Sequence, residues 1–148
     1  MTAYDVRQKM SQAWKLKKEV SAKQDAMKEL RSMAEKATTS FSPAPGGSQG
    51  SSSSRVENYA IRIVELQESL MGASEHLLNM LQEVMAMIEL ADDPIQRAAL
   101  TQYHLNGKTA EESAACINYS VSQFWRVLNE GYVAVAERWN EMEWNETH

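Results

Sequence analysis

Three polar side chains near residue 125 have the chemistry needed to recognise the edges of nucleic-acid bases. In a helix beginning near residue 121, Ser122, Gln123 and Arg126 fall on one face. Glutamine pairs with adenine, and arginine with guanine, through two hydrogen bonds each. The apolar residues of the same segment fall on a different face: Val121, Phe124 and Leu128. This spacing predicts a helix that packs one side on a core and leaves the other side free for recognition.

Two capping boxes define the elements that would position this helix. Thr109 is followed three residues later by Glu112, and Ser120 is followed three residues later by Gln123. In each pair the hydroxyl accepts a hydrogen bond from an N–H of the first helical turn, and the Glu or Gln side chain reaches back. Asn118 suits the left-handed conformation of a tight turn between the two helices. The sequence therefore predicts a helix-turn-helix, which places its second helix in the major groove of DNA.

The preceding helix has equally clear boundaries. Asp93 is a good N-cap, Pro94 fits the first helical position, and Asn106-Gly107 closes the helix. We expect Gly131 to bend or end the last helix. The predicted helices cover about residues 94–105, 109–117 and 121–143.

Residues 93–127, DPIQRAALTQYHLNGKTAEESAACINYSVSQFWRV, resemble region 4 of bacterial sigma factors. They are more similar to phage-encoded sigma-like regulators of late transcription, of the ArpU/RinA type and its uncharacterised relatives. The matching positions are Asp93-Pro94, Leu105-Asn106-Gly107-Lys108-Thr109, Glu111-Glu112, Ala114, Tyr119-Ser120-Val121 and Arg126. Those relatives also carry two long helices joined by a Gly/Ser-rich loop upstream, so the resemblance covers most of the chain.

This resemblance implies that the protein has a surface that binds promoter DNA. The side chains expected to face the groove are Ser120, Ser122, Gln123 and Arg126, with Lys108 on a phosphate. Trp125 has two readings, a DNA contact beside Arg126 or partial burial at a subunit contact. The chain departs from the family pattern at Ser113, usually an apolar packing residue, at Asn118, usually glycine, and at His104, usually Tyr.

Charge is the main physical objection to DNA binding. Residues 94–148 hold four Lys/Arg and seven Asp/Glu, net −3. Phosphate neutralisation supplies much of the affinity of DNA-binding domains, so this region needs its few cations on one face. Lys108, Arg126 and Arg97 are the candidates. We expect weak binding by a monomer, and tight binding only by a dimer or together with a partner such as host RNA polymerase.

The first 91 residues have the pattern of coiled-coil helices. Apolar residues recur every seven positions at Val6, Ala13, Val20, Met27 and Ala34, and again at Val56, Ile63, Leu70, Leu77 and Val84. The second series also has Tyr59, Leu66, Ala73, Met80 and Met87 at the intervening offset. Residues 1–38 carry net charge +4 and residues 55–93 carry −6, which favours pairing of the two helices. The pairing is either an antiparallel hairpin or an association across a dimer, and the second series is predicted to mediate oligomerisation. The alternatives are that the charges form solvated faces or that the Lys15, Lys17, Lys18 and Lys23 cluster contacts nucleic acid.

The predicted organisation is all-α, a long two-helix coiled-coil hairpin followed by a three-helix unit containing the helix-turn-helix. Its segments are a basic helix at 1–37, a Gly/Ser/Pro-rich flexible linker at 38–54, an acidic helix at 55–91 and a sigma region 4-like domain at 92–148. No apolar run approaches the ~20 residues of a membrane span, and no signal peptide is present, so we expect a cytoplasmic protein of a bacterial host. The single Cys116 excludes an intrachain disulfide and is predicted to be a small buried residue.

No enzyme motif is found. The three His and Cys116 lack metal-ligand spacing, and Gly46-Gly47 lies in a low-complexity segment rather than a phosphate loop. We expect no cofactor, metal or small-molecule substrate.

The leading hypothesis is a phage or prophage transcription regulator that binds double-stranded promoter DNA as a homo-oligomer, with a dimer favoured. The first alternative is a module that docks on RNA polymerase or another protein factor. The second alternative is a DNA-packaging protein of the small-terminase type, which usually places its helix-turn-helix first rather than last.

Overall fold

A computed structural model of the chain describes residues 1–39 and 49–148, with side chains described from residue 54 in the second range. The described residues form helices and no strand, which confirms the predicted all-α class. The helices are α1 (Ala3–Thr39), α2 (Gln49–Ile88), α3 (Pro94–Leu100), α4 (Ala110–Cys116) and α5 (Val121–Thr147), with a π-helical segment at Thr101–Leu105. None of the described helices is long and apolar enough to cross a membrane.

The chain divides into two compact units at points that the sequence did not indicate. One unit combines residues 1–16 with residues 77–148, and the other is residues 17–76. The predicted boundaries were placed at the expected ends of helices, whereas the observed divisions fall inside α1 and α2. The predicted linker, residues 38–54, overlaps both helices, because α1 runs to Thr39 and α2 begins at Gln49. The rest of the predicted linker, residues 40–48, lies outside the described residues.

The unit of residues 17–76 is an antiparallel pair of helical segments. Val20 and Met27 of α1 are buried, and the Lys23 ammonium donates a 2.8 Å hydrogen bond to the Ser69 hydroxyl of α2. The predicted apolar series of α2 is half-buried here, at Val56, Tyr59, Ile63, Leu66, Leu70 and Ala73. The heptad pattern therefore joins the two helices of one chain in this unit.

The other unit has a core built from all five helices. Its fully buried side chains include Val6 and Met10 of α1, Val84 and Met87 of α2, Leu100 of α3, and Phe124, Leu128 and Val135 of α5. Burying each of the larger ones stabilises the fold by about 1.5–3 kcal/mol. The Lys9 ammonium lies 3.4 Å from a Glu83 carboxylate oxygen, so one ion pair of the predicted kind joins α1 and α2 here. α1 contributes core residues to this unit, which explains why the unit begins at residue 1 and not at residue 92.

Gly131 does not end α5, which continues to Thr147. A Cβ atom at residue 131 would lie 3.2 Å from Leu100 Cδ1 and 3.4 Å from Leu100 Cγ. The glycine therefore leaves room for the Leu100 side chain between α3 and α5. The prediction that Gly131 ends the helix was wrong, because helix propensity alone does not include this packing.

Candidate nucleic-acid interface

Both capping boxes are present with the predicted partners. The Thr109 hydroxyl accepts from the Glu112 N–H at 3.2 Å, and the Glu112 carboxylate accepts from the Thr109 N–H at 3.4 Å. The Ser120 hydroxyl accepts from the Gln123 N–H at 3.2 Å, and the Gln123 carbonyl accepts from the Ser120 N–H at 2.9 Å. These bonds define the starts of α4 and α5.

A left-handed residue makes the turn between α4 and α5. Asn118 has φ 59°, as predicted from its side chain. The Tyr119 N–H returns to the Ala114 carbonyl at 2.9 Å, and the Asn118 N–H donates to the Ala115 carbonyl at 3.2 Å. The turn therefore uses the free carbonyls of α4 and directs the chain into α5, which produces a helix-turn-helix.

The first turns of α5 present one buried face and one exposed face. Phe124 and Leu128 are fully buried, as predicted, whereas Val121 is 37% exposed. Val121 is the first residue of the helix and lies next to the turn, and it is only partly covered. Ser122 and Arg126 are exposed, and Arg126 forms no ion pair within the described parts of the chain. Its guanidinium is therefore available to a ligand.

Gln123 is exposed, but its side chain already takes part in capping α5. Its side-chain oxygen accepts from the Ser120 N–H, while its amide N–H groups remain free to donate. Bidentate pairing with adenine needs both ends of the amide. In the capped geometry Gln123 is best suited to donate to a base acceptor, and Ser120 acts first as a helix cap.

Trp125 is partly buried against its own chain. Its ring lies edge-on to the Tyr103 ring, with centroids 5.6 Å apart and an interplanar angle of 74°. The Phe124 ring is 5.5 Å away. The remaining 37% of its surface is exposed on the outer side of α5. Partial burial of Trp125 therefore requires no second subunit, and its exposed edge remains available for contact.

The three candidate cations do not form one cluster. The Arg97 guanidinium donates to the carbonyls of Ala91 at 2.7 Å and Asp92 at 2.9 Å, so it closes the segment between α2 and α3. Lys108 lines a cavity with α1 residues, whereas Arg126 lines a shallow groove with Gln96, Asn129 and Glu130. Of the three candidate cations, Arg126 is thus the one on α5, and Lys108 lines a different depression.

A buried polar pair supports the helix-turn-helix from behind. His104 Nε2 and the Tyr132 hydroxyl are 2.6 Å apart and share a hydrogen bond inside the core. Burial, assisted by the nearby positive charge of Arg7, lowers the pKa of His104 to about 4. Burial also raises the pKa of the Tyr132 hydroxyl. Both groups are therefore neutral at pH 7, and the π-helical segment carries His104 into contact with α5.

Two residues of α4 differ from expectation. Cys116, predicted to be buried, is exposed at the end of the helix, and its sulfur accepts a 3.2 Å hydrogen bond from the Lys108 ammonium. Ser113 occupies a fully buried position, and its hydroxyl has no hydrogen-bond partner among the described residues. Position 113 therefore has an environment suited to an apolar side chain, although the residue there is polar.

The predicted oligomerisation residues of α2 face the inside of the chain. Val84 is buried in the core, while Val56, Ile63, Leu70 and Leu77 are half-buried. In the unit of residues 17–76, the apolar side chains that α2 does expose are Ile61, Val64 and Met71, each more than half accessible. That the heptad residues of α2 also mediate oligomerisation stays a prediction.

Within residues 1–39 and 49–148, no group of three or more His, Cys, Asp or Glu side chains is placed to hold a metal ion. Comparison with protein-family models, curated proteins and solved structures finds no match to this chain.

Proposed function

We propose that this chain is a regulator of phage or prophage transcription that binds promoter DNA by inserting the first turns of α5 into the major groove. The observation that supports this most directly is the exposed pair Ser122 and Arg126 on a helix that follows a left-handed turn and packs on α4. A recognition helix requires this combination of a buried inner face and a polar outer face close to its N-terminus.

Arg126 is the residue on which base recognition depends in this proposal. Its guanidinium forms no ion pair within the described parts of the chain, and its fork geometry matches the two acceptors of guanine. Ser122 and the free amide N–H groups of Gln123 supply additional hydrogen bonds. Trp125 presents an exposed ring edge beside them.

The low number of cations makes association part of the proposal. Residues 94–148 carry net charge −3, and Arg97 is used within the fold. Few phosphate contacts give weak binding by one domain and a shallow salt dependence, about −0.9 per contact in the slope of log K against log salt. A dimer brings two recognition helices to one site. We propose that the exposed Ile61, Val64 and Met71 contribute to that dimer.

The test compares two arginines of the same helix. Arg126→Ala removes the proposed base contact, whereas Arg138→Ala removes an arginine whose guanidinium lies 3.4 Å from Glu141. Binding is measured by fluorescence anisotropy on duplexes that carry the promoters adjacent to the encoding gene and on scrambled duplexes, at two salt concentrations. We expect Arg126→Ala to weaken promoter binding by about 1–3 kcal/mol and to reduce selectivity, and Arg138→Ala to have little effect. Equal binding by Arg126→Ala and the unchanged protein would exclude α5 as the reading element.

A second candidate function is docking on a protein such as bacterial RNA polymerase. Tyr119, Val121 and Trp125 are each 37% exposed around the turn, so apolar surface lies beside the polar face of α5. Retention of RNA polymerase by the immobilised protein at physiological salt, and its loss in Val121→Glu, would support docking. No retention would rule out this alternative.

A further inference from the structure

We infer that a cavity of about 390 Å³ in the unit formed by residues 1–16 and 77–148 binds a small organic anion with an aromatic body. The cavity lies between α1, the π-helical segment and the residues that lead into α4. Its volume is within the range of pockets that hold small ligands. This site is separate from the proposed DNA-binding face of α5.

The charge of the lining favours an anion. Lys15 and Lys108 are the charged side chains that line the cavity, and no carboxylate lines it. The described partner of the Lys108 ammonium is the Cys116 thiol, a weak acceptor that leaves the positive charge uncompensated. His104 also lines the cavity and is neutral at pH 7, so it adds no charge of its own.

The rings of the lining favour an aromatic body. Trp14 and Tyr103 both line the cavity, and Trp14 remains 39% exposed although it belongs to a helix with a buried face. Aromatic rings stack on, or meet edge-on, other rings at centroid distances of about 4.5–7 Å. A ring with one anionic substituent can therefore contact both side chains and still reach the lysines.

A glycine lines the cavity beside Trp14. Gly107 has φ 67°, and a Cβ atom there would lie 3.7 Å from Trp14 Nε1. The left-handed conformation and the lack of a side chain thus place bare backbone against the Trp14 ring. Tyr103 also contacts Trp125 of α5, so the ring of Tyr103 would lie between an occupant of the cavity and α5. Any effect of the occupant on DNA rests on the proposed function, whereas binding itself does not.

Two probes of matched shape test the charge. 1-Anilinonaphthalene-8-sulfonate carries a sulfonate, and N-phenyl-1-naphthylamine is its neutral counterpart. Binding of each is measured by fluorescence titration and, for the sulfonate, by calorimetry on the full chain. We expect one sulfonate per chain at this site and a roughly tenfold loss of affinity in the Lys15→Gln/Lys108→Gln double variant, because charge-assisted contacts are lost. The neutral probe should bind both proteins equally.

A lysine control and a ring variant complete the test. Lys17→Gln/Lys36→Gln changes the net charge by the same amount at α1 positions that do not line the cavity, and we expect it to bind both probes normally. Trp14→Ala should weaken both probes alike, and circular dichroism verifies that each variant is folded. Unchanged sulfonate affinity in Lys15→Gln/Lys108→Gln, or an equal loss in the lysine control, would overturn the inference.

Discussion

The two units of this chain bury their side chains to different extents. In residues 17–76 the described buried side chains are Val20 and Met27, which remain 6% and 5% exposed, and the apolar series of α2 is only half-covered. In the other unit, side chains from five helices enclose Leu100, Phe124 and Leu128 completely. A pair of helices can cover one stripe of each partner, whereas several helices can surround a residue. The difference indicates that the helix-turn-helix packs on a closed core, while more of the apolar surface of residues 17–76 contacts water.

The largest expected effect distinguishes the two units by truncating the same residue type in each. Leu128→Ala should lower the free energy of unfolding by about 3–5 kcal/mol, because it leaves a cavity in a closed core. Leu70→Ala in the half-covered unit should lower it by about 1–2 kcal/mol, because part of that side chain already contacts water. Urea denaturation followed by circular dichroism measures both values. Equal losses would contradict the difference in enclosure.

The next effect concerns the buried His104–Tyr132 pair. The pKa of His104 is about 4 in the folded chain and 6.5 ordinarily, so the unfolded chain takes up a proton first as pH falls. The free energy of unfolding should therefore decrease by about 3 kcal/mol between pH 6.5 and pH 4, and this contribution should be constant above pH 6.5. His104→Gln keeps a partner for Tyr132 and cannot titrate. Its stability should fall less steeply over the same interval, and an identical slope would contradict this account.

The smallest effect compares two glycines inside helices. Gly72 of α2 has nothing within 4 Å of an added Cβ atom, so Gly72→Ala should raise the free energy of unfolding by up to about 1 kcal/mol. At Gly131 the added atom meets the fully buried Leu100 side chain at 3.2 Å. Gly131→Ala should therefore lower stability by about 1–2 kcal/mol despite the better helix propensity. Thermal denaturation gives both signs, and a gain in both variants would show that α3 can move away.

Features set by neighbouring residues could be predicted from the sequence. The capping boxes at Thr109 and Ser120, the left-handed Asn118 and the N-cap Asp93 each depend on residues within a few positions. The all-α class follows from helical periodicity, which is also local. These signals place the candidate recognition helix and its exposed Arg126.

Features set by contacts between distant segments could not be predicted. Cys116 is exposed because α4 ends there, and Arg97 is occupied because two carbonyls between α2 and α3 need donors. The division within α1 arises because the side chains of Val6, Met10 and Ala13 are buried in one core with residues from the carboxyl-terminal helices. The cavity beside Trp14 arises in the same way. The spacing of residues along the chain does not predict these contacts between distant segments.

Ser113 has a consequence for how this protein can change. A fully buried hydroxyl without a partner weakens the core, and alanine at the same position removes the desolvated group while keeping nearly the same volume. A single substitution, Ser113→Ala, is therefore expected to increase stability without changing the exposed face of α5. A lineage that acquires this substitution gains tolerance for destabilising substitutions at residues such as Ser122 and Arg126. The Ser113 hydroxyl, which has no partner among the described residues, thus makes position 113 a starting point for evolving the exposed face of α5.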